Sequence, residues 1–326
     1  MRRAACLLLL TACSKGSSRP AEPAEPSVAD PFLAPLASPA PSAPALSPEA
    51  SSNVRLLDRG QEPLRPLRYA WRADQKELMD IELRTALTAD AAGTNKDFAL
   101  PPVHVAVAIE PRSVSPEGDL RFAWHVESAT VQTQDAAAAD TMTQGWKAQL
   151  VPVEHLSGSA VVSPQGISKG VELDPGTAGD AGPDAQMVVT VLELLRSDAV
   201  APLPGEPVGK GARWQKLTTL DTKNGHATQT DTYTLLAAPG DTGTLDDVFA
   251  QTVSPQALPS PVGMSSVSPA RVDSLLMSGT AKERFDLSRL VAQTTREGTT
   301  SMALSASGGH MNMVMRLGVT VRGTIR

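Results

Sequence analysis

Apolar and polar side chains alternate along most of the second half and much of the first half of the chain. This period of two is typical of strands with one buried face. The alternation is clearest over residues 103–110, 120–127 and 311–325. Asn224-Gly225 separates two further strand-like stretches and favours a tight hairpin, because both positions tolerate positive φ. These patterns predict antiparallel strands joined by hairpins.

Two segments show helical periodicity instead, over residues 135–146 and from Asp184 to about Ala199. Gly182-Pro183-Asp184 is a start signal for the second segment, and Pro202 favours its end. One apolar stripe of this second helix is formed by Met187, Val191 and Leu195. The predicted fold is mainly β, of the α+β class: a curved antiparallel sheet or half-barrel covered by one or two helices.

The start of the chain has the features of a bacterial secretory signal that ends in a lipidated cysteine. Arg2-Arg3 precedes a short apolar run, and Leu10-Thr11-Ala12-Cys13 follows that run. A basic start, an apolar segment and small residues before the cut are typical of a signal peptide. The cysteine directly after them resembles a bacterial lipobox. We therefore predict a signal over residues 1–12 and lipidation of Cys13.

The position of the two cysteines favours this interpretation. Cys6 would be removed with the signal, so Cys13 would be the sole cysteine of the mature chain, and no internal disulfide is expected. The alternative, a chance Leu-Thr-Ala-Cys in a disordered head, would leave an exposed free thiol. Ser14 follows the cysteine, where lipoproteins kept in the inner membrane commonly carry Asp. This resemblance implies a lipid-anchored envelope protein of the outer membrane that faces the periplasm.

Composition divides the remaining chain into a tether and a domain. Residues 13–52 are rich in Pro, Ala and Ser and lack apolar periodicity, which predicts a disordered, proline-stiffened tether behind the lipidated cysteine. Residues 53–326 are predicted to form a single β-rich domain built of two similar halves, about 53–157 and 158–326. Aromatic residues make up only 3% of the chain, so the core must be built from aliphatic residues and Met.

Charge and motifs exclude several functional classes. The net charge is −6 and no basic run is present, so a nucleic-acid partner is not expected. The five histidines show no metal-ligand spacing, and G-x-S-x-G is absent. Gly209-Lys210-Gly211 lacks the spacing of a phosphate loop, and the acidic stretch 174–184 lacks that of a calcium loop. We therefore expect no catalytic residue, no metal, no cofactor and no enzymatic activity.

Two motifs carry a family resemblance. The stretch Leu203 to Trp214 fits the pattern LP-x-x-P-V-x-x-G-x-x-W, and a strand from Ser278 ends in Phe285-Asp286. These features resemble a family of uncharacterised bacterial secreted lipoproteins, whose layout is similar to that of LolA/LppX-type periplasmic lipoprotein carriers. The resemblance implies an unclosed, curved antiparallel sheet whose concave face is covered by helices and holds acyl chains. It supplies no catalytic residues.

The feature that points most directly to a function is a methionine stripe on the last predicted strand. Met311, Met313 and Met315 share one face with the aliphatic residues that follow them. Methionines fill ordinary cores and also line adaptable binding surfaces, and both interpretations stay open here. With Met187, Val191 and Leu195, the stripe could line a cavity for a lipid or other apolar ligand between sheet and helices. The alternative function is a structural or protein-interaction module of the envelope.

Overall fold

The structure is a computed structural model, which describes residues 51–91, 94–132, 141–177, 199–222, 225–257, 271–306 and 309–326. The predicted lipidation site Cys13, the tether and most of the predicted second helix lie outside these ranges, including the stripe of Met187, Val191 and Leu195. Within the ranges, no helix is long and apolar enough to cross a membrane.

Strands account for most of the described chain. In chain order they are β1 Ser51–Asp58, β2 Gln61–Arg65, β3 Glu77–Ala91, β4 Thr94–Ala99, β5 Val103–Val114, β6 Leu120–Val131, β7 Ser157–Val162, β8 Ser168–Leu173, β9 Val208–Lys210, β10 Arg213–Thr222, β11 Gly225–Ala237, β12 Thr242–Val253, β13 Gln256–Ala257, β14 Arg271–Asp286, β15 Gln293–Ala306 and β16 Gly309–Ile325. Helix α1 spans Thr141–Leu150, and a 3-10 turn follows at Val151–Val153.

One large antiparallel sheet contains fourteen of these strands. Its order is β1-β10-β11-β12-β14-β15-β16-β3-β5-β6-β7-β8, with β4 paired to β3 and β13 paired to β14. The last strand, β16, therefore lies in the middle, between β15 and β3. The small strands β2 and β9 form a separate pair. The predicted β-rich character is confirmed.

The predicted α+β class, with helices covering the sheet, is wrong. The described chain is nearly all β, and its one α-helix packs beside β6 and the 3-10 turn. Residues 244–253 are part of β12, in which alternate side chains are buried. The sheet curves onto itself: one continuous core contains side chains from strands near both ends of the strand order, such as Trp124 of β6 and Trp214 of β10. Strongly twisted sheets of this size curl in this way. We call the face that carries this core the concave face.

An irregular segment, 66–71, crosses the core and joins distant parts of the sheet. Tyr69 N–H donates to the carbonyl of Pro164 (2.8 Å), and Ala70 N–H donates to that of Leu287 (2.7 Å). The Tyr69 hydroxyl donates to the carbonyl of Ala201 (3.0 Å). These bonds satisfy backbone groups that would otherwise be buried without partners. The segment thus fixes the distance between the β7–β8 turn and the turn after β14.

The two motifs behind the family resemblance have structural roles here. Gly209 lies against the backbone of Gln61, where an added Cβ would meet the Gln61 carbonyl oxygen at 1.7 Å. Trp214 is fully buried, and its indole N–H donates to the carbonyl of Pro202 (3.0 Å). Asp286 closes its turn by accepting from the Ser288 amide (2.9 Å). Both motifs therefore form turns and core contacts.

Candidate functional site

The methionine stripe lies on the concave face of β16. Met313 and Met315 are buried and Met311 is partly buried. Met313 belongs to a second apolar cluster, separate from the main core, which we call the methionine cluster. Its members are Leu87, Val272, Leu275, Met302, Leu304 and Met313, with Ala89, Val253 and Met311 packed against them. All of them come from strands β3, β12, β14, β15 and β16 of the large sheet. The structure therefore places two of the six predicted ligand-lining residues, Met313 and Met311, in or beside this cluster, and Met315 is the cross-strand partner of its member Leu87.

A band of polar side chains separates the methionine cluster from the main core. The strand registers place these residues on the same concave face, because inward positions of neighbouring strands stand opposite one another. Thr300 stands between Met277 and Met315, and Gln251 is the partner of Met277 on the other side. We call this set the polar band; its members are Asp231, Asp247, Gln251, Arg296 and Thr300.

Arg296 is the centre of the polar band. One of its guanidinium nitrogens, Nη2, donates to Asp247 Oδ2 (3.2 Å) and to Asp231 Oδ1 (3.3 Å). Both aspartates are only 1% exposed. Buried charges persist in a fold only when they are paired and hydrogen-bonded, and this arrangement meets that condition. The guanidinium carbon also lies 4.5 Å from the ring centroid of Phe249, within the range of a cation–π contact.

The ring of Phe249 reaches Arg296 across two glycines. Gly279 and Gly298 are direct cross-strand partners on β14 and β15, and Phe249 is the partner of Gly279 on β12. A Cβ at Gly279 would lie 2.6 Å from the ring, and one at Gly298 would lie 2.9 Å from it. Because these two glycines have no side chains, the ring of Phe249 can occupy the space beside them. The glycine pair positions Phe249, and Phe249 supports Arg296.

Gln251 and Thr300 of the polar band each carry a buried side-chain oxygen that is free of hydrogen bonds to the described residues. Gln251 Oε1 and Thr300 Oγ1 have no partner among the described residues, although Gln251 is 6% and Thr300 2% exposed. Leaving such an atom unpaired costs about 1–3 kcal/mol. Both side chains stand on the concave face beside the methionine cluster. This buried part of the concave face thus combines deformable apolar side chains with polar atoms whose hydrogen-bonding capacity is unused.

Tyr233 borders the polar band at the main core. Burial raises the pKa of its hydroxyl well above 10.0, and the charge of neighbouring Asp231 raises this pKa further. The hydroxyl therefore stays neutral, and the ionic groups of the site are the carboxylates and Arg296. The Tyr233 ring stacks on Trp214 with centroids 5.9 Å apart, which attaches this end of the band to the main core.

The described histidines lie on four different strands, β5, β6, β11 and β16, and in the turn before β7. His104 Nε2 lies 3.9 Å from Glu82, and His310 is largely exposed, 4.0 Å from Asp273. His155 is also exposed. Across the described ranges, no group of three or more His, Cys, Asp or Glu side chains has the geometry to hold a metal ion.

Sequence reasoning missed the polar band. Asp231 occupies an inward position of β11, two residues before buried Tyr233, and Asp247 does the same on β12, two residues before buried Phe249. Charged residues at the inward phase of an alternating pattern are the signal that could have found the band. Arg296 has the same phase on β15, between Thr294 and Gly298.

No protein-family model and no curated protein matches this sequence. Among solved structures, the crystal structure of Pseudomonas aeruginosa OccK8 (OprE) aligns with 77% of this chain and 98% of that chain, at 6% identity and a TM-score of 0.15. A TM-score this low carries no argument about fold or function.

Proposed function

We propose that the protein is a non-enzymatic lipoprotein of the bacterial cell envelope, anchored at Cys13 to the outer membrane and facing the periplasm. Its domain would bind an apolar ligand with a polar end against the concave face of the sheet. The observation that carries this proposal is the methionine cluster beside the unpaired Gln251 and Thr300 oxygens. The motif at Cys13 supports the anchor.

The chemistry of the surface fits such a ligand. Unbranched methionine side chains adapt to irregular apolar shapes, so Met302 and Met313 suit a flexible hydrocarbon. Ligand sites combine a mostly apolar lining with a few placed polar groups. A hydroxyl or amide at the polar end of the ligand would donate to Gln251 Oε1 and exchange hydrogen bonds with Thr300, which removes the cost of their unpaired burial.

Thr300 offers a direct test, because valine has nearly the same shape but no hydroxyl. The variant Thr300→Val should bind an amphipathic probe such as N-dodecanoyl ethanolamine at least fivefold more weakly than the parent chain, measured by calorimetry. Thr299→Val is the matched control, since Thr299 directly precedes Thr300 on β15 and is exposed on the opposite face. Absence of probe binding in the parent chain would favour the alternative, a protein-interaction module.

The anchor has its own test. The full chain, expressed in a Gram-negative host, should fractionate with outer membranes and need detergent for release. Cys13→Ser should move it to the soluble periplasmic fraction, whereas Cys6→Ser should leave it in membranes, because Cys6 lies in the segment that is removed. Intact-mass measurement should show acyl chains on Cys13. Membrane association that survives Cys13→Ser would contradict the anchor.

A further inference from the structure

The face of the sheet opposite the concave face, the outer face, carries a cleft of about 480 Å³ over strands β11, β12, β14, β15 and β16. Three of its lining residues are exposed cations: Lys282 and Arg284 on β14 and Arg322 on β16. Ligand sites in proteins have volumes of about 300–1,000 Å³. The cleft therefore has room for a ligand and not only for a few waters.

The three cations of the cleft form no close ion pair with a carboxylate of the described residues. None of Lys282, Arg284 and Arg322 has an acidic side chain within 4.0 Å in the part of the chain that the structure describes. Some cations elsewhere on the surface are paired, such as Lys76 with Glu110 at 2.8 Å. On this face of the sheet the cleft lining carries three cations and one carboxylate, Asp246, which is the cross-strand partner of Lys282, while Arg322 stands opposite Asp80 on β3. In a chain of net charge −6, the lining on this face is therefore locally positive.

Hydrogen-bonding groups lie between the cations. The cross-strand row Asp246, Lys282, Thr295 and Thr320 runs across four neighbouring strands. Asp246 lines the cleft, and its carboxylate can accept from a ligand hydroxyl; its buried Oδ1 has no hydrogen-bond partner among the described residues. The two threonine hydroxyls can both donate and accept. The row thus matches a ligand that is rich in hydroxyl groups.

We propose that this cleft binds an acidic sugar chain, with carboxylate or phosphate groups held by Lys282, Arg284 and Arg322 and with hydroxyls held by Asp246, Thr295 and Thr320. The cations of β14 and β16 are two strands apart, which is about 10 Å at the backbone. An occupant that contacts both must be extended and must carry negative groups at more than one place. A single small anion does not meet that requirement, whereas an acidic polysaccharide does. This inference is independent of the apolar ligand proposed for the concave face.

The test is a titration of the full chain in detergent micelles with fluorescently labelled oligogalacturonate, with neutral oligomaltose of equal length as the comparison. Oligogalacturonate should bind, and its affinity should fall with added salt because the contacts are exposed charges. Lys282→Gln, Arg284→Gln and Arg322→Gln should each weaken binding at least threefold, and the Lys282→Gln/Arg322→Gln double variant at least tenfold.

Arg316→Gln is the matched control. Arg316 is exposed on the outer face of the same strand as Arg322 but outside the cleft, so its removal should change affinity less than twofold. All four side chains are exposed, and thermal unfolding of each variant checks that the fold is retained. The proposal is overturned if oligogalacturonate binds no better than oligomaltose, or if Arg316→Gln weakens binding as much as the cleft variants. Binding of phosphatidylglycerol vesicles without binding of oligogalacturonate would also overturn it, in favour of a lipid surface.

Discussion

The ring of Phe249 occupies the space that a side chain at Gly298 would need. A Cβ built at Gly298 lies 2.9 Å from the ring, whereas one at Gly318, on the neighbouring strand, meets nothing closer than 3.8 Å. Gly298→Ala should therefore destabilise the fold by about 1–3 kcal/mol, as overpacking does. Gly318→Ala, its control, should leave the free energy of unfolding unchanged or slightly higher. Urea denaturation measures both.

A double-mutant cycle decides whether Phe249 is the cause. Phe249→Leu removes the ring edge that collides with the new methyl group, so Gly298→Ala should cost less in that background than in the parent chain. Residues in contact show interaction energies of about 0.5–3 kcal/mol in such cycles. Additive effects of the two substitutions would contradict the proposed packing of the ring over the glycine.

Arg296 pairs with two buried carboxylates, and this pairing predicts how substitutions of Arg296 change the stability of the fold. Arg296→Met should destabilise the fold by about 3–5 kcal/mol, because Asp231 and Asp247 would lose a shared partner inside the protein. Arg296→Lys keeps the charge but loses the planar fork that reaches both carboxylates, so it should give an intermediate loss. Chemical denaturation of the parent chain, Arg296→Lys and Arg296→Met tests this order of decreasing stability. Equal stability of Arg296→Met and the parent chain would show that the band is not held by this pairing.

Glu77 predicts a pH dependence of stability. Its carboxylate is 3% exposed and accepts from the amides of Leu290 (2.7 Å) and Val291 (3.2 Å). Burial raises its pKa above the ordinary value of 4.5, although these amide hydrogen bonds and Arg289 act in the opposite direction. A raised pKa means that the folded chain keeps a proton that the unfolded chain has lost. The contribution of Glu77 to stability is therefore largest below pH 4.5 and falls as the pH rises through its folded pKa.

Glu77→Gln tests this sign, because glutamine keeps an acceptor for the two amides and does not titrate. The difference in unfolding free energy between the parent chain and Glu77→Gln should decrease as the pH rises from 4 to 7. The measurement is urea denaturation of both chains at several pH values. A difference that grows with pH would mean that the amides and Arg289, rather than burial, dominate the pKa of Glu77.

The sequence predicted the strands well, but it did not predict what packs against the faces of the sheet. Strand periodicity is a local property, so the alternation over 311–325 and the Asn224-Gly225 turn identified β16 and the β10–β11 hairpin. What packs against the face of a sheet depends on contacts between residues that are distant in the sequence. Trp124 and Trp214 lie on strands far apart in the strand order, yet they belong to the same core cluster. The alternation of apolar and polar residues along the sequence does not indicate that the sheet curves in this way.

The same distinction explains the candidate site. The phase of Met311, Met313 and Met315 in β16 placed them on the inward face without further information. The partnership of Arg296 with Asp231 and Asp247 depends on the registers of three strand pairs, and those registers follow from the fold and not from spacing along the chain. The predicted helical half of the site, Met187, Val191 and Leu195, lies outside the described residues and stays a prediction.

We propose above that the concave face holds an apolar ligand. The most direct test is organic-solvent extraction and mass spectrometry of the Cys13→Ser chain, purified from a bacterial envelope without harsh detergent. This substitution removes the covalent acyl chains, so any extracted lipid is bound non-covalently. We expect about one apolar molecule per chain, and a loss of most of it in a folded Met313→Gln variant, whereas a Thr299→Val control should keep it. Extracts that contain no apolar compound above the level of an unrelated periplasmic protein would contradict the account.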